Sequence, residues 1–252
     1  MVLWILVISG YLTGEYLLHN RAKAGSVIFF NDTVRRWNAI DSIVGLFSVE
    51  NWMFQDYPYE ADQWIHLVFD GLEFRLRVET EQNRININTA SEAQVRNRVQ
   101  KIYGEEFFDE GSDVPDALLD WRDKDALVRN GGAEAEYYSD LSPGYEPANG
   151  YFKALTELLL VKGVAVKRFW GDYSDGPVDQ SGNEIQPKTS FIDEFTIFPK
   201  TTRRITVVFP VGQNREMLLI IFMEKRQSNR YVKVEKYTTF LTPVDKEDKL
   251  DF

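Results

Sequence analysis

The chain has no proline before Pro58, and nothing else in it restricts the fold so much. Proline is the residue that breaks a helix interior, because it lacks an N–H and its ring clashes with the preceding turn. The residues that fill this proline-free stretch favour one long helix. Val2 to Ile8 is wholly apolar and the run stays mostly apolar to Leu18; Phe30, Val34, Trp37, Ile40, Val44 and Phe47 then recur at three- and four-residue steps. That recurrence is the period of an amphipathic helix. A single helix reaching residue 50 or so would be roughly 70 Å long at 1.5 Å per residue, with Gly25 and Asn31 as the points where it could fray. A stem that keeps one greasy stripe needs a partner along it.

Residues 1–57 are therefore read as a stem, of which about 2–18 are expected to sit in a membrane, since that length is close to what a hydrocarbon core requires. Ser9, Gly10, Thr13, Gly14 and Glu15 dilute the run, so the expected span is a weak one. No small-residue cleavage site follows it, which disfavours a cleaved secretory signal. Arg21 and Lys23 come after the span with no basic residue before it, and the positive-inside rule taken alone would put the body in the cytoplasm.

Composition removes several classes of function. The net charge of -10 opposes diffuse attraction to phosphates, which depends on clustered lysine and arginine, and favours cations instead. With no cysteine there is no disulfide, thiol nucleophile or thiolate metal site. His19 and His66 are the only imidazoles, so zinc chemistry and histidine-based hydrolysis are disfavoured. No nucleophile is paired with a base, and no enzymatic activity is expected.

Beyond the stem, Asp70-Gly71 is a two-residue hairpin signal inside "QWIHLVFDGLEFRLRVE". Pairing outward from it sets Phe69 against Leu72, Leu67 against Phe74 and Ile65 against Leu76, which makes one face apolar and places His66 on the other as a surface residue. The segment 58–83 is thus a first hairpin. Residues 84–189 change character: "ININTASEAQVRNRVQKIYG" carries Thr89 or Ser91 as a helix cap, "PDALLDW" and "YFKALTELLLVKGV" predict two further helices, the second ended by Gly163, and a polar loop follows. Within 190–252 the runs "RITVVFP", "MLLIIFMEK" and "YVKVEKYTTF" predict strands. The whole is an α+β body on a helical stem.

The stretch "LLDWRDKDALVRNGGAEAEYY" crowds Asp120, Asp123, Asp125, Glu134 and Glu136 around Gly131 and Gly132. Paired carboxylates can serve glycoside hydrolysis, but no ordered cleft aromatics accompany them here. Calcium is the better use, since it takes six to eight oxygens. With Asp123 at position one of an EF-hand, Asp125 falls on three and Glu134 on twelve, but Leu127 and Val128 then occupy positions five and six, so only an irregular calcium loop survives. The competing reading is a solvated acidic loop with Arg122, Lys124 and Arg129 as partial counterions.

Taken together, "RININTAS", the acidic stretch and "GYEPANGYFKALTELLLVKGV" resemble general secretion pathway protein K, the large minor pseudopilin of bacterial type II secretion systems, over about residues 84 to 164. The resemblance implies a pilin-like long N-terminal helix packed on an antiparallel sheet, with a large helical insert of SAM-like or helix-hairpin-helix-like kind. It implies a non-catalytic subunit at the tip of a periplasmic pseudopilus, anchored by a single pass in the inner membrane and associated with minor pseudopilins I and J, with H as a further candidate. It implies that calcium orders the insert, held by Asp123 and Asp125 after "LLDW" and Glu134 after "GGA", with Glu136 next. No nucleic-acid partner is implied. The family's basic leader is not seen ahead of Val2, so Met1 is expected to mark a trimmed or misassigned start; Ile5 agrees with the family's lack of the glutamate that other pilins carry there. A second Asn-x-Asn motif expected after the insert is not visible, and the region from Phe191 looks shortened.

One alternative belongs to another class. "ININTAS" and "LLLVKGV" also resemble the helix-hairpin-helix units of membrane-anchored DNA-uptake proteins, whose hairpin amides contact phosphate. That reading would require Lys162, Lys167 and Arg168 to face a duplex.

Overall fold

The computed structural model describes residues 2–47, 63–171, 189–211, 216–226 and 230–241. The expected end of the stem at 48–57, the polar loop over 172–188 and the last residues, 242–252, lie outside the described residues. In chain order the elements are α1 (Val2–Phe47), β1 (Trp64–Phe69), β2 (Leu72–Thr80), β3 (Ile85–Asn86), α2 (Glu92–Tyr103), α3 (Val114–Arg122), α4 (Ala135–Ser139), α5 (Val166–Trp170), α6 (Phe191–Glu194), β4 (Phe195–Thr196), β5 (Arg203–Pro210), β6 (Glu216–Lys225) and β7 (Tyr231–Leu241). They divide into two compact units, one of Met1–Val78 with Ile205–Phe252 and one of Glu79–Arg204.

The first unit is helix on sheet. α1 is 46 residues long and runs unbroken through Gly25 and Asn31. The five strands stand in the order β1-β2-β5-β6-β7, with the β1/β2 and β6/β7 pairs antiparallel. The β1/β2 register is Phe69 with Leu72, Leu67 with Phe74 and Ile65 with Leu76, as the turn chemistry demands. Asp70 and Gly71 both take positive φ, 51° and 69°, the combination that matches the twist of a tight hairpin. His66 is exposed opposite Arg75.

Alternation then builds the core. Leu72, Phe74, Leu76 and Val78 of β2, Ile205, Val207 and Phe209 of β5, and Leu219, Ile221 and Met223 of β6 share one buried cluster. Ala39, Ile40, Ile43, Val44 and Phe47, one face of the last turns of α1, close over it. The apolar stripe of the helix is therefore used unevenly. Its C-terminal part is buried on the sheet, while Phe30 and Val34 remain 66% and 41% exposed. Among the described residues no helix is long and apolar enough to cross a membrane.

The regular structure of the second unit is mostly short helices. α2 opens on a capping box in which Ser91 Oγ accepts from Gln94 N–H and the Gln94 side chain accepts from Ser91 N–H. Ser91, not Thr89, is therefore the cap. The stretch expected as a helix up to Gly163 is a short 3₁₀ turn over Leu155–Leu160. Gly163 does bend the chain, at φ 82°, and a Cβ there would press to 2.7 Å from Val114 Cγ2. β3 and β4 form a two-residue parallel bridge. Beside it a buried ion network joins Glu79 to Arg84 (2.6 Å) and Glu81 to Arg204 (2.7 Å), with both arginines also donating to Ile192 O.

Candidate metal centre

The acidic stretch hangs between two anchored ends. At its start α3 is buried on Val114, Ala117, Leu118, Leu119 and Trp121. The helix ends where Asp123 turns extended, its N–H still donating to Leu119 O at 3.1 Å. At its end Tyr138 of α4 is fully buried against Trp121, with ring centroids 5.1 Å apart, and against Tyr145 at 5.4 Å. Its hydroxyl accepts from Lys162 N–H at 3.3 Å. Burial, partly offset by that bond, pushes the Tyr138 phenol up to about 12. Of the two tyrosines, Tyr138 pins the loop and Tyr137 is 40% exposed beneath the Lys162 ammonium.

Between these ends the backbone folds back so that Arg129 meets the last turn of α3. Its N–H donates to Asp120 Oδ2 at 3.1 Å, and its Nη1 donates to Asp120 Oδ1 and to Asp123 Oδ2, each at 2.5 Å. The hydrogen bond that Arg129 donates to Asp123, first, and that to Asp120 raise the arginine's affinity for its proton against the opposing effect of burial. Gly132 N–H closes the turn on Arg129 O at 2.9 Å. Both glycines are needed. Gly131 has φ 98°, and a Cβ on Gly132 would overlap the Asp120 carboxylate. Lys162 Nζ donates to Gly131 O at 3.0 Å and Gly132 O at 3.3 Å, clamping the same corner.

Glu134 is the anomaly. It stands where a cap of α4 would stand, yet its side chain makes no capping bond. It is 4% exposed, and neither carboxylate oxygen has a hydrogen-bond partner among the described residues. Asp123 Oδ1 is buried and unpartnered in the same way. Burial, first, and then the charges of Asp120, Asp123 and Asp125 raise the pKa of Glu134. A carboxylate so placed takes up either a proton or a cation.

The four ligands implied by the resemblance are placed unequally. Asp123 shares Arg129 with Asp120, and the charges of both aspartates act on Glu134. Asp125 lies on the exposed limb, its Oδ1 accepting from Leu127 N–H at 2.9 Å. Glu136 is exposed on α4. Among the described residues no group of three or more carboxylates or imidazoles is drawn close enough to hold a metal ion as it stands. The donor types fit a hard cation, since unpartnered carboxylate oxygens and loop carbonyls are what calcium takes. A guanidinium, that of Arg129, bridges two of the carboxylates.

Asp120 escaped the sequence reading of ligands, although one signal pointed to it: a carboxylate inside the apolar run Leu118-Leu119-Asp120-Trp121 must find a buried partner. Of the basic residues expected as counterions, Arg129 serves as one. Arg122 turns away and donates to Ile87 O and Ala90 O, fastening the loop's root to the "ININTA" segment. Two of the three basic groups that a DNA-binding hairpin would present are also engaged: Lys162 by the glycine carbonyls, and Arg168 by Glu106.

Residues 83–169 match the family model described as type II secretion system (T2SS), protein K. Type II secretion system protein K of Aeromonas hydrophila is 43% identical over 61 residues, 24% of this chain and 18% of that protein. The protein K of Pseudomonas aeruginosa strain PAO1 is 32% identical over 123 residues, 45% of this chain and 34% of its own length. The chain thus spans well under half of the curated relatives it matches. Its fold resembles a chain of the crystal structure of the GspK-GspI-GspJ complex from enterotoxigenic Escherichia coli, with a TM-score of 0.50 at 9% identity, covering 88% of this chain and 99% of that one.

Proposed function

We propose, from the match of residues 83–169 to the family model of type II secretion system protein K, that the chain serves as a minor pseudopilin: a structural subunit of the secretion pseudopilus, placed at the tip. The observation that carries this reading is the divided stripe of α1. A helix whose last turns are buried on their own sheet keeps Tyr16, Leu17, Phe30 and Val34 exposed further up. Exposed apolar groups of this size suit a surface for another protein or a membrane. Beside Phe30 and Val34 runs a cleft of about 320 Å³, bounded by Asn38, Ser42, Phe69 and Asp70. We read the upper part of α1, with its pilin-like packing below, as the stem that enters the inner membrane and packs with the stems of other pseudopilins by close van der Waals contact.

Minor pseudopilins I and J are the proposed partners, with H as a further candidate, and the body lies in the periplasm. The second unit, with its SAM-like or helix-hairpin-helix-like character, is too bulky to repeat along a fibre, which favours a cap. Calcium is the proposed cofactor, held by Asp123 and Glu134 with Asp120, Asp125 and Glu136 as further oxygens; its part is to neutralise the crowded charge and tie the loop between α3 and α4.

The test is to purify the full chain in detergent and mix it with minor pseudopilins I and J at saturating calcium. A ternary complex on size exclusion, lost on Phe30→Ser with Val34→Ser, supports the reading. Three separate elution peaks sink it.

A further inference from the structure

We propose that Arg129 is a resident counter-cation of the acidic loop, which holds Asp120 and Asp123 until a divalent cation takes those carboxylates together with Glu134 and frees the guanidinium. This rests on the calcium reading above and deepens it to how the site is regulated. The first observation is the bridge itself: one nitrogen, Nη1, donates to both carboxylates at 2.5 Å. The second is independent of it. Glu134 is 4% exposed with both oxygens unpartnered among the described residues, and Asp123 Oδ1 is buried and unpartnered too.

Charge decides what such a group of oxygens lacks. Asp120 and Asp123 share the Arg129 guanidinium and their charges act on the buried Glu134, so three carboxylates face a single positive charge. Arginine does not lose its proton in a protein, so the bridge opens by displacement and not by deprotonation. Displacement is open to it: the Arg129 side chain is 37% exposed, whereas Asp120 is fully buried and fixed at the end of α3. A hard divalent cation gathers six to eight oxygens and so can use the Glu134 and Asp123 oxygens that the guanidinium leaves unmet. Two cations competing for one set of oxygens are coupled negatively and reciprocally, so whatever Arg129 contributes to the metal-free loop is taken from the affinity for metal.

The experiment titrates calcium chloride calorimetrically into the full chain in detergent, as wild type, Arg129→Gln and Arg129→Lys. Removing the competitor should tighten calcium binding by about tenfold, within the usual range for coupled sites. With chelator present, the thermal midpoint of Arg129→Gln should lie below that of the wild type and should rise further when calcium is added. Equal affinities of wild type and variant would overturn the counter-cation role while leaving the calcium reading intact. Weaker binding by Arg129→Gln would overturn it too, by making Arg129 a prop for the loop. No calcium binding by any of the three would sink the calcium reading itself. If Arg129→Gln fails to fold, two measurements remain. Arg129→Lys, which keeps the charge but loses the fork, should bind with intermediate affinity, and the Nε–Hε resonance of wild-type Arg129 should move on saturation with calcium. A resonance that stays in place overturns the proposal.

Discussion

Arg204 meets Glu81 fork to fork, Nε 2.7 Å from Oε1 and Nη2 3.0 Å from Oε2, with both side chains sealed from water. Neither charge could be left alone there, because taking one partner away strands the other in a medium that cannot solvate it. Glu81→Ala should therefore lower stability by about 3–5 kcal/mol, and the double change Glu81→Leu with Arg204→Met should cost clearly less. Urea unfolding of the three proteins measures both; a double variant as weak as the single one would mean that the pair itself, and not the stranded charge, sets the loss.

Two apolar residues of α1 should respond in opposite ways. Ile43 is fully buried in the cluster formed with β2, β5 and β6, so Ile43→Ala should cost about 2–5 kcal/mol through the lost contacts and the cavity left behind. Phe30 is 66% exposed, and Phe30→Ser should leave stability within about 0.5 kcal/mol of the wild type while weakening association with partner stems. Thermal melts read the first effect and size exclusion with minor pseudopilins the second.

Glu194 makes folding sensitive to acid. Burial pushes its pKa up, but hydrogen bonds from Lys101, Thr189 and Arg98 outweigh it and hold the carboxyl below its ordinary value of 4.5. A carboxylate whose folded pKa is depressed adds stability that is fully present above the unfolded pKa and is lost as pH falls through the folded one. Stability should fall as pH drops below about 4.5, and Glu194→Gln should flatten that part of the profile while lowering the neutral plateau. Denaturant midpoints taken at a series of pH values check both slopes; an unchanged acid limb would rule the residue out as a contributor.

Gly132→Ala tests the corner that carries the acidic loop. The added Cβ would overlap the Asp120 carboxylate, which is fully buried and cannot step aside. The expected cost is about 1–3 kcal/mol, the usual range for overpacking a closed site, together with a smaller response to calcium. Differential scanning calorimetry with and without chelator reports both quantities.

Calcium should raise the thermal midpoint of the wild type, because a ligand that binds the folded chain stabilises it by mass action. Asp123→Asn with Glu134→Gln should abolish that rise. Glu134→Gln alone should raise the midpoint in chelator, since a buried amide in place of the unpartnered Glu134 carboxylate is less costly than a charge. A calcium-dependent rise that survives both changes would move the metal elsewhere.

Local chemistry was enough for much of the architecture. Asp70 and Gly71 set the hairpin register residue by residue, because only that turn puts Ile65, Leu67, Phe69, Leu72, Phe74 and Leu76 on one face. The proline-free run foretold one long α1, a cap at Thr89 or Ser91 foretold the start of α2, and three alternating or apolar runs foretold β5, β6 and β7. Spacing along the chain could not say which acids would meet. Leu155–Leu160 reads as a helix but tightens to a 3₁₀ turn with Leu155 and Leu158 buried, a tertiary context that overrides local propensity. Asp120 and Arg129 pair, Arg122 turns to the "ININTA" backbone, and Glu134 is buried without a partner, all because the loop folds back on α3. Residue order determined which segments could be helix, turn or strand, for those preferences act over a few neighbours. Only the tertiary structure decided which charges face one another, because desolvation and Coulomb energy depend on distances that no short stretch of sequence contains.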